Sequence, residues 1–186
     1  GKSPCIVCAD VDLDVAARRI AWGKTMNAGQ TCVAPDYILA DRRIAEPLVQ
    51  ALRRALSAFY GEAARTSPDL GRIVNRRHFD RLAAYLRQGR IVYGGDHDPE
   101  ELYIAPTILA DVDPDSPVMQ EEIFGPILPV VPFDRVDDAL SVLRARPKPL
   151  ALYLFTNDRR LQEQVLAETA SGGVAINDTI SHILGK

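Results

Sequence analysis

The sequence is 186 residues long and is notable first for what it has little of. It holds only three cysteines, Cys5, Cys8 and Cys32, an odd number that does not suit a disulfide framework and suits a reducing, cytoplasmic setting. Its formal net charge is −3, so the clustered basic surface that binds nucleic acid is not expected. No apolar run approaches the roughly 18 residues that a membrane-spanning helix needs. No basic start leads into an apolar stretch with a small-residue cleavage site, so no secretory leader is read. There is no G-x-G-x-x-G after a strand, no Walker A loop and no G-x-S-x-G elbow. Nothing resembles a metal cluster: His78, His97 and His182 are scattered singly, as surface or core histidines are. Internal repeats, low-complexity tracts and linkers are also absent, which leaves one domain over residues 1–186.

What is present is ordinary for a folded domain: 47% hydrophobic and 25% charged residues. Residues 3–8 read as a short buried strand. Asp12 reads as an N-cap, with Leu13, Ala16, Ala17 and Ile20 on one face of a helix that runs to about Met26. The stretch from Asn27 to Thr31 breaks that helix. Residues 36–40 read as a strand, and Asp41 as the cap of a helix carrying Ile44, Leu48, Leu52, Leu56 and Phe59 at helical spacing. A second amphipathic helix covers 76–87, with Phe79, Leu82, Ala83 and Leu86 inward and Gly89 at its stop. Residues 90–93 form a strand ending at Gly94-Gly95, and 96–101 an acidic, exposed loop. Residues 103–109 are extended but interrupted by Pro106. Residues 127–131 are a strand with Pro129 inside it. Asp134 then caps a helix to about Ala145, stopped by Pro147. Residues 150–155 are the most continuous apolar run and read as a central strand. Residues 158–169 are a helix with Leu161, Val165 and Leu166 inward, and 174–176 a last strand. Strand and helix alternate throughout, which predicts an α/β fold with a mostly parallel sheet.

Three features could carry chemistry. Cys5 and Cys8 have C-x-x-C spacing, but in a strand that odd offset sends the side chains to opposite faces, whereas a redox pair opens a helix. Cys32 follows Gly29-Gln30-Thr31 in a break between elements, where a thiol can be exposed and neighbouring N–H groups can face an oxyanion. A free thiol of pKa ~8.5 needs a base or a positive field to act as a nucleophile, and a buried Cys would be only a small hydrophobe. The run Gln120-Glu121-Glu122-Ile123-Phe124-Gly125-Pro126 sets paired carboxylates before an aromatic and Gly-Pro. It could bind sugar hydroxyls and a flat ring, or form an acidic turn with a core-facing Phe.

Four stretches, in this order, resemble the NAD(P)-dependent aldehyde dehydrogenase superfamily: Gly1-Lys2-Ser3-Pro4, Gly29-Gln30-Thr31-Cys32, Glu121-Glu122-Ile123-Phe124-Gly125-Pro126, and Ser171 to Asp178. The wording from Asn27 to Tyr37, with Pro117-Val118-Met119-Gln120 ahead of Glu121, resembles the class 3 branch, which handles fatty and aromatic aldehydes. The resemblance implies a three-layer, mostly parallel open sheet with helices on both faces, namely that family's catalytic domain. It implies that Cys32 is the nucleophile, with its own backbone N–H as one oxyanion donor. It implies that Glu122 holds the nicotinamide ribose, that Phe124 packs near the nicotinamide end, and that Glu121 is structural. NAD or NADP is the implied cofactor, an aldehyde the substrate and a homo-oligomer, a dimer, the assembly. No nucleic-acid partner and no membrane segment are expected. The sequence lacks the family's Glu-Leu-Gly ahead of Gly-Lys-Ser-Pro, whose Glu is the general base. It also lacks the oxyanion Asn, the cofactor-binding domain and the Pro-Phe-Gly-Gly segment. With no initiator Met, and with an abrupt end at residues 183–186, it reads as a piece of a longer chain, weakly active or inactive alone. Two other readings are a cysteine hydrolase pairing Cys32 with a histidine, and a non-catalytic oligomerisation module using the 174–176 strand.

Overall fold

Along β1 (Pro4–Val7) every residue is buried, because both faces of the strand are covered. Cys5 and Val7 point into one apolar cluster and Ile6 and Cys8 into another. The computed structural model describes residues 1–61 and 63–181. His182 and the apolar end 183–186 lie outside the described residues.

The remaining strands are β2 (Tyr37–Asp41), β3 (Arg90–Tyr93), β4 (His97–Asp98), β5 (Tyr103–Ile104), β6 (Thr107–Ala110), β7 (Ile127–Phe133), β8 (Ala151–Phe155) and β9 (Gly173–Ile176). Seven form one sheet in the order β3-β6-β7-β2-β1-β8-β9. All neighbours in it are parallel except β3 and β6. The helices are α1 (Leu13–Thr25), α2 (Ala45–Tyr60), α3 (Arg76–Tyr85), α4 (Pro117–Gln120), α5 (Val136–Arg144) and α6 (Arg159–Glu168). Ile20 of α1 and Leu48 and Leu52 of α2 pack with Ile38 and Tyr153 on one face of the sheet. Leu82 of α3, Leu140 of α5 and Val165 of α6 pack with Leu39, Leu152 and Leu154 on the other. This is the α/β fold with a mostly parallel sheet that the alternation of strands and helices predicts, in the three layers that the resemblance implies.

Several local expectations are corrected. Asp41 ends β2 instead of capping α2: its Oδ1 accepts from Arg43 N (3.0 Å) and its Oδ2 from Arg43 Nη2 (2.6 Å), so the carboxylate is spent on the intervening turn. Asp134 pairs with Arg42, and α5 is opened by Asp138, which accepts from Arg135 N (2.9 Å). Leu166 is exposed, since Val165 already fills the inward position of α6 one residue earlier. Gly89 is required for space and not for a left-handed stop, because a Cβ there would lie 2.7 Å from Val112 Cγ2. The acidic 96–101 stretch contains β4, which pairs with β5, and Arg65 ties Asp98 to Glu101. By contrast Asp12 and Asp158 do cap their helices, through accepted backbone N–H bonds. No helix among the described residues is long and apolar enough to cross a membrane.

Lys24, in the last turn of α1, is 2% exposed, and its Nζ has no hydrogen-bond partner among the described residues. Burial pulls its pKa down to about 8, against the attraction of Asp36 and with further help from the charge of Lys2. Between about pH 8 and an unfolded-state value of ~10.4, the unfolded chain holds a proton that the folded chain has lost. Stability contributed by this group therefore rises with pH across that window. Lys24→Met is expected to raise the unfolding free energy at pH 7 by roughly 3 kcal/mol, with the gain fading towards pH ~10.4. Denaturant titrations of both proteins at several pH values check this, and an equal stability at pH 7 contradicts it.

Candidate active site

The loop that carries Cys32 begins where α1 cannot continue. Asn27 (φ 50°), Ala28 (φ 53°) and Gly29 (φ 76°) are left-handed in succession. Each non-glycine residue in that region costs about 1–2 kcal/mol, so the turn must be held by its surroundings. Gln30 does this: its Nε2 donates to Asn27 O (3.1 Å) and Arg72 O (2.9 Å), and its Oε1 accepts from Val74 N (2.9 Å). Gly29 is fixed by proximity as well as by φ, since a Cβ there would lie 2.2 Å from Gly125 O. Ala34 N then bonds Thr31 O (3.0 Å), and Tyr153 of β8 donates its hydroxyl to Val33 O beneath the turn. Val33 and Ala34 are buried, whereas Cys32 at the tip is exposed.

The loop that carries Glu122 follows α4. Lys2 reaches into it: its Nζ donates to Val118 O (2.7 Å), to Glu121 O (2.8 Å) and to Asp36 Oδ2. Asp36 in turn accepts from Ile123 N at Oδ1 (2.9 Å) and donates its own N–H to Ser3 O (2.8 Å). The Lys2 and Asp36 side chains are 8% and 5% exposed. Burial lowers the Lys2 pKa, with Asp36 opposing the shift. Ile123 is fully buried, Phe124 is left-handed (φ 52°) and half-buried, and the Glu122 side chain is 31% exposed. Glu122 Oε2 accepts from the Gly1 nitrogen at 2.7 Å.

The Cys32 and Glu122 loops thus abut at Gly29 and Gly125, and Asp36 and Lys2 bolt the second to the entries of β1 and β2. Both loops precede parallel strands, so the site lies at the amino ends of β1, β2 and β7. Open α/β sheets commonly use the carboxyl ends. The difference arises because the nucleophile candidate follows a helix and not a strand. Glu122 and Phe124 fit a nicotinamide nucleotide. A carboxylate is an acceptor alone and suits a vicinal diol, the Glu122 side chain is partly exposed, and the half-buried Phe124 ring two residues on can meet a flat heterocycle.

The other candidates are not assembled here. Cys5 and Cys8 are buried on opposite faces, and burial pushes both thiols up, Cys8 to about 12. His78 lies against Phe124, with ring centroids 6.4 Å apart, and its Nδ1 is 3.4 Å from Arg81 Nη2. His97 bonds Gly95 O and packs on Phe79. Neither hydrogen-bonds the Cys32 thiol. Lys2, Asp36 and Gln30 are the residues that pattern reasoning passed over. One signal was available: a charged residue, Asp36, directly entering an otherwise apolar strand. Native protein treated with iodoacetamide at neutral pH is expected to take one label, on Cys32, with Cys5 and Cys8 labelled only after denaturation. Peptide mass spectrometry reads this, and early labelling of Cys5 or Cys8 contradicts the burial.

Residues 1–184 match the sequence model of the aldehyde dehydrogenase family. The rat protein named aldehyde dehydrogenase, dimeric NADP-preferring, is 55% identical over 183 residues, covering 98% of this chain and 40% of that protein. Mouse aldehyde dehydrogenase family 3 member A2 is 54% identical over 182 residues, covering 98% of this chain and 38% of that protein. Among solved structures, the substrate-bound state of Staphylococcus aureus AldH superposes with a TM-score of 0.97 at 48% identity, over 100% of this chain and 41% of that one. A NAD-dependent aldehyde dehydrogenase from Sinorhizobium meliloti gives 0.87 at 30% identity, over 97% of this chain and 38% of that one. The chain thus spans about 40% of the length of these rat and mouse relatives. A left-handed turn presenting Cys32, wedged against a pinned Glu122-Ile123-Phe124 segment, sits in a chain that belongs to the aldehyde dehydrogenase family.

Proposed function

We propose that residues 1–186 are the thiol-bearing catalytic domain of an enzyme that oxidises an aldehyde to a carboxylic acid with NAD or NADP. The observation that carries this is the exposure of Cys32 at the tip of a rigid turn whose next two residues are buried. The Cys32 thiolate attacks the carbonyl carbon, forming a C–S bond and placing negative charge on the carbonyl oxygen. The Cys32 backbone N–H, held by the turn, donates to that oxygen. NAD(P), when bound, supplies the electron acceptor that lets the thiohemiacetal become a thioester. Water then cleaves the thioester, releasing the acid and restoring the thiol. Glu122 holds the ribose hydroxyls and Phe124 packs beside the nicotinamide. Glu121 is structural, and its Oε2 is taken by the Tyr85 hydroxyl (2.8 Å).

None of the described residues hydrogen-bonds the Cys32 thiol, and none is assigned as the base that activates the deacylating water. The 186-residue chain by itself is accordingly a poor dehydrogenase. The relatives' dimeric naming supports a dimer of the whole protein, and three free cysteines support a cytoplasmic location. The test compares the full-length gene product with the 186-residue chain, using benzaldehyde with NAD and with NADP. The full-length protein is expected to turn over, and Cys32→Ser to lose at least about 10³-fold in kcat. Turnover that survives Cys32→Ser overturns the nucleophile. Oxidation by the short chain at ordinary rates, about 1–10³ s⁻¹, overturns the reading that none of the described residues supplies the activating base.

A further inference from the structure

Helix α3 grips the Glu122 segment through bonds separate from those of Lys2 and Asp36. Arg81 Nη1 donates to Glu122 O (3.1 Å) and Nη2 to Ile123 O (2.6 Å). Nη1 also donates to the Tyr85 hydroxyl (3.0 Å), which itself donates to Glu121 Oε2 (2.8 Å). The guanidinium lies 5.2 Å from the Tyr85 ring centroid. Leu82, between them on the helix, fills the space that a side chain at Gly125 would need: a Cβ there would be 2.6 Å from Leu82 Cδ1. One turn of α3 therefore touches residues 121, 122, 123 and 125. None of these bonds uses the Glu122 carboxylate, so the grip fixes its position and leaves its oxygens for a ligand. A planar fork can hold two successive carbonyls at once, which a lysine ammonium on a flexible stem cannot match. The grip also holds the left-handed Phe124 next in the chain.

We propose that Arg81, seconded by Tyr85, is a positioning residue for cofactor binding, acting through Glu122. The inference rests on the reading of Glu122 as the ribose-holding carboxylate. The test is a fluorescence titration of the full-length gene product with NADPH, for the parent, Glu122→Ala, Arg81→Met, Arg81→Lys and the Arg81→Met/Glu122→Ala double variant. Cofactor-free alkylation of Cys32 is measured in parallel. Glu122→Ala and Arg81→Met are each expected to raise Kd about tenfold, the worth of a charged hydrogen bond. The double variant should match Glu122→Ala alone, Arg81→Lys should fall between parent and Arg81→Met, and Cys32 alkylation should stay within about twofold of the parent. An Arg81→Met Kd equal to the parent's, with Glu122→Ala weakened, overturns the inference and leaves the reading of Glu122 standing. A Glu122→Ala Kd equal to the parent's overturns both. Multiplicative effects in the double variant, or a Cys32 alkylation rate altered as strongly as Kd, show a general structural role for Arg81 and overturn the proposal.

Discussion

Two buried charges, Lys2 and Asp36, tie together three pieces of chain that are distant in sequence. Lys2 enters β1, Asp36 enters β2, and between them they hold the carbonyls of Val118 and Glu121 and the amide of Ile123. Removing one partner of such a pair strands the other in an apolar setting, at a cost of about 3–5 kcal/mol. Here it would also orphan the Ile123 N–H, a buried donor. An apolar pair of similar size could stabilise the fold as well, but could not accept an N–H from the 118–123 segment while donating to its carbonyls. The pair's value lies in geometry.

That geometry explains how a strained turn persists. Three successive left-handed residues before Cys32 are unfavourable in isolation. They are held because Gln30 links them to the 72–74 stretch ahead of α3 and because Gly29 is pressed against Gly125. Gly125 is fixed in turn by the segment that Lys2 and Asp36 hold. Strain in the turn before Cys32 is thus offset by satisfied hydrogen bonds at the neighbouring loop. Gly29 and Gly125 are the contact through which the two loops fix each other.

Much of the fold was legible because its signals are local. The strands around Ile6 and Leu152 are apolar at every position, as strands covered on both faces are. Asp12 and Asp158 stand where N-caps stand, and α2 repeats its leucines at helical spacing. The failures are equally local. Asp41 and Asp134 look like caps, but each has an arginine in reach, Arg43 and Arg42, whose charge outbids a backbone N–H. Of the site, Cys32, Glu122 and Phe124 stood out through a resemblance of wording. The residues that hold them, Lys2, Asp36 and Arg81, bond across separations of 34 to 119 positions, and no periodicity reports such a bond. The buried ammonium of Lys24 appears only once α1 is packed.

One buried ion pair holds the Cys32 loop and the Glu122 loop as a single unit. Amide hydrogen exchange in Asp36→Ala, followed at Ile123 and at residues 28–34, tests it most directly. Both segments are predicted to lose protection together while β8 keeps its own. Loss at Ile123 with residues 28–34 unchanged would contradict the account, as would unchanged protection at both.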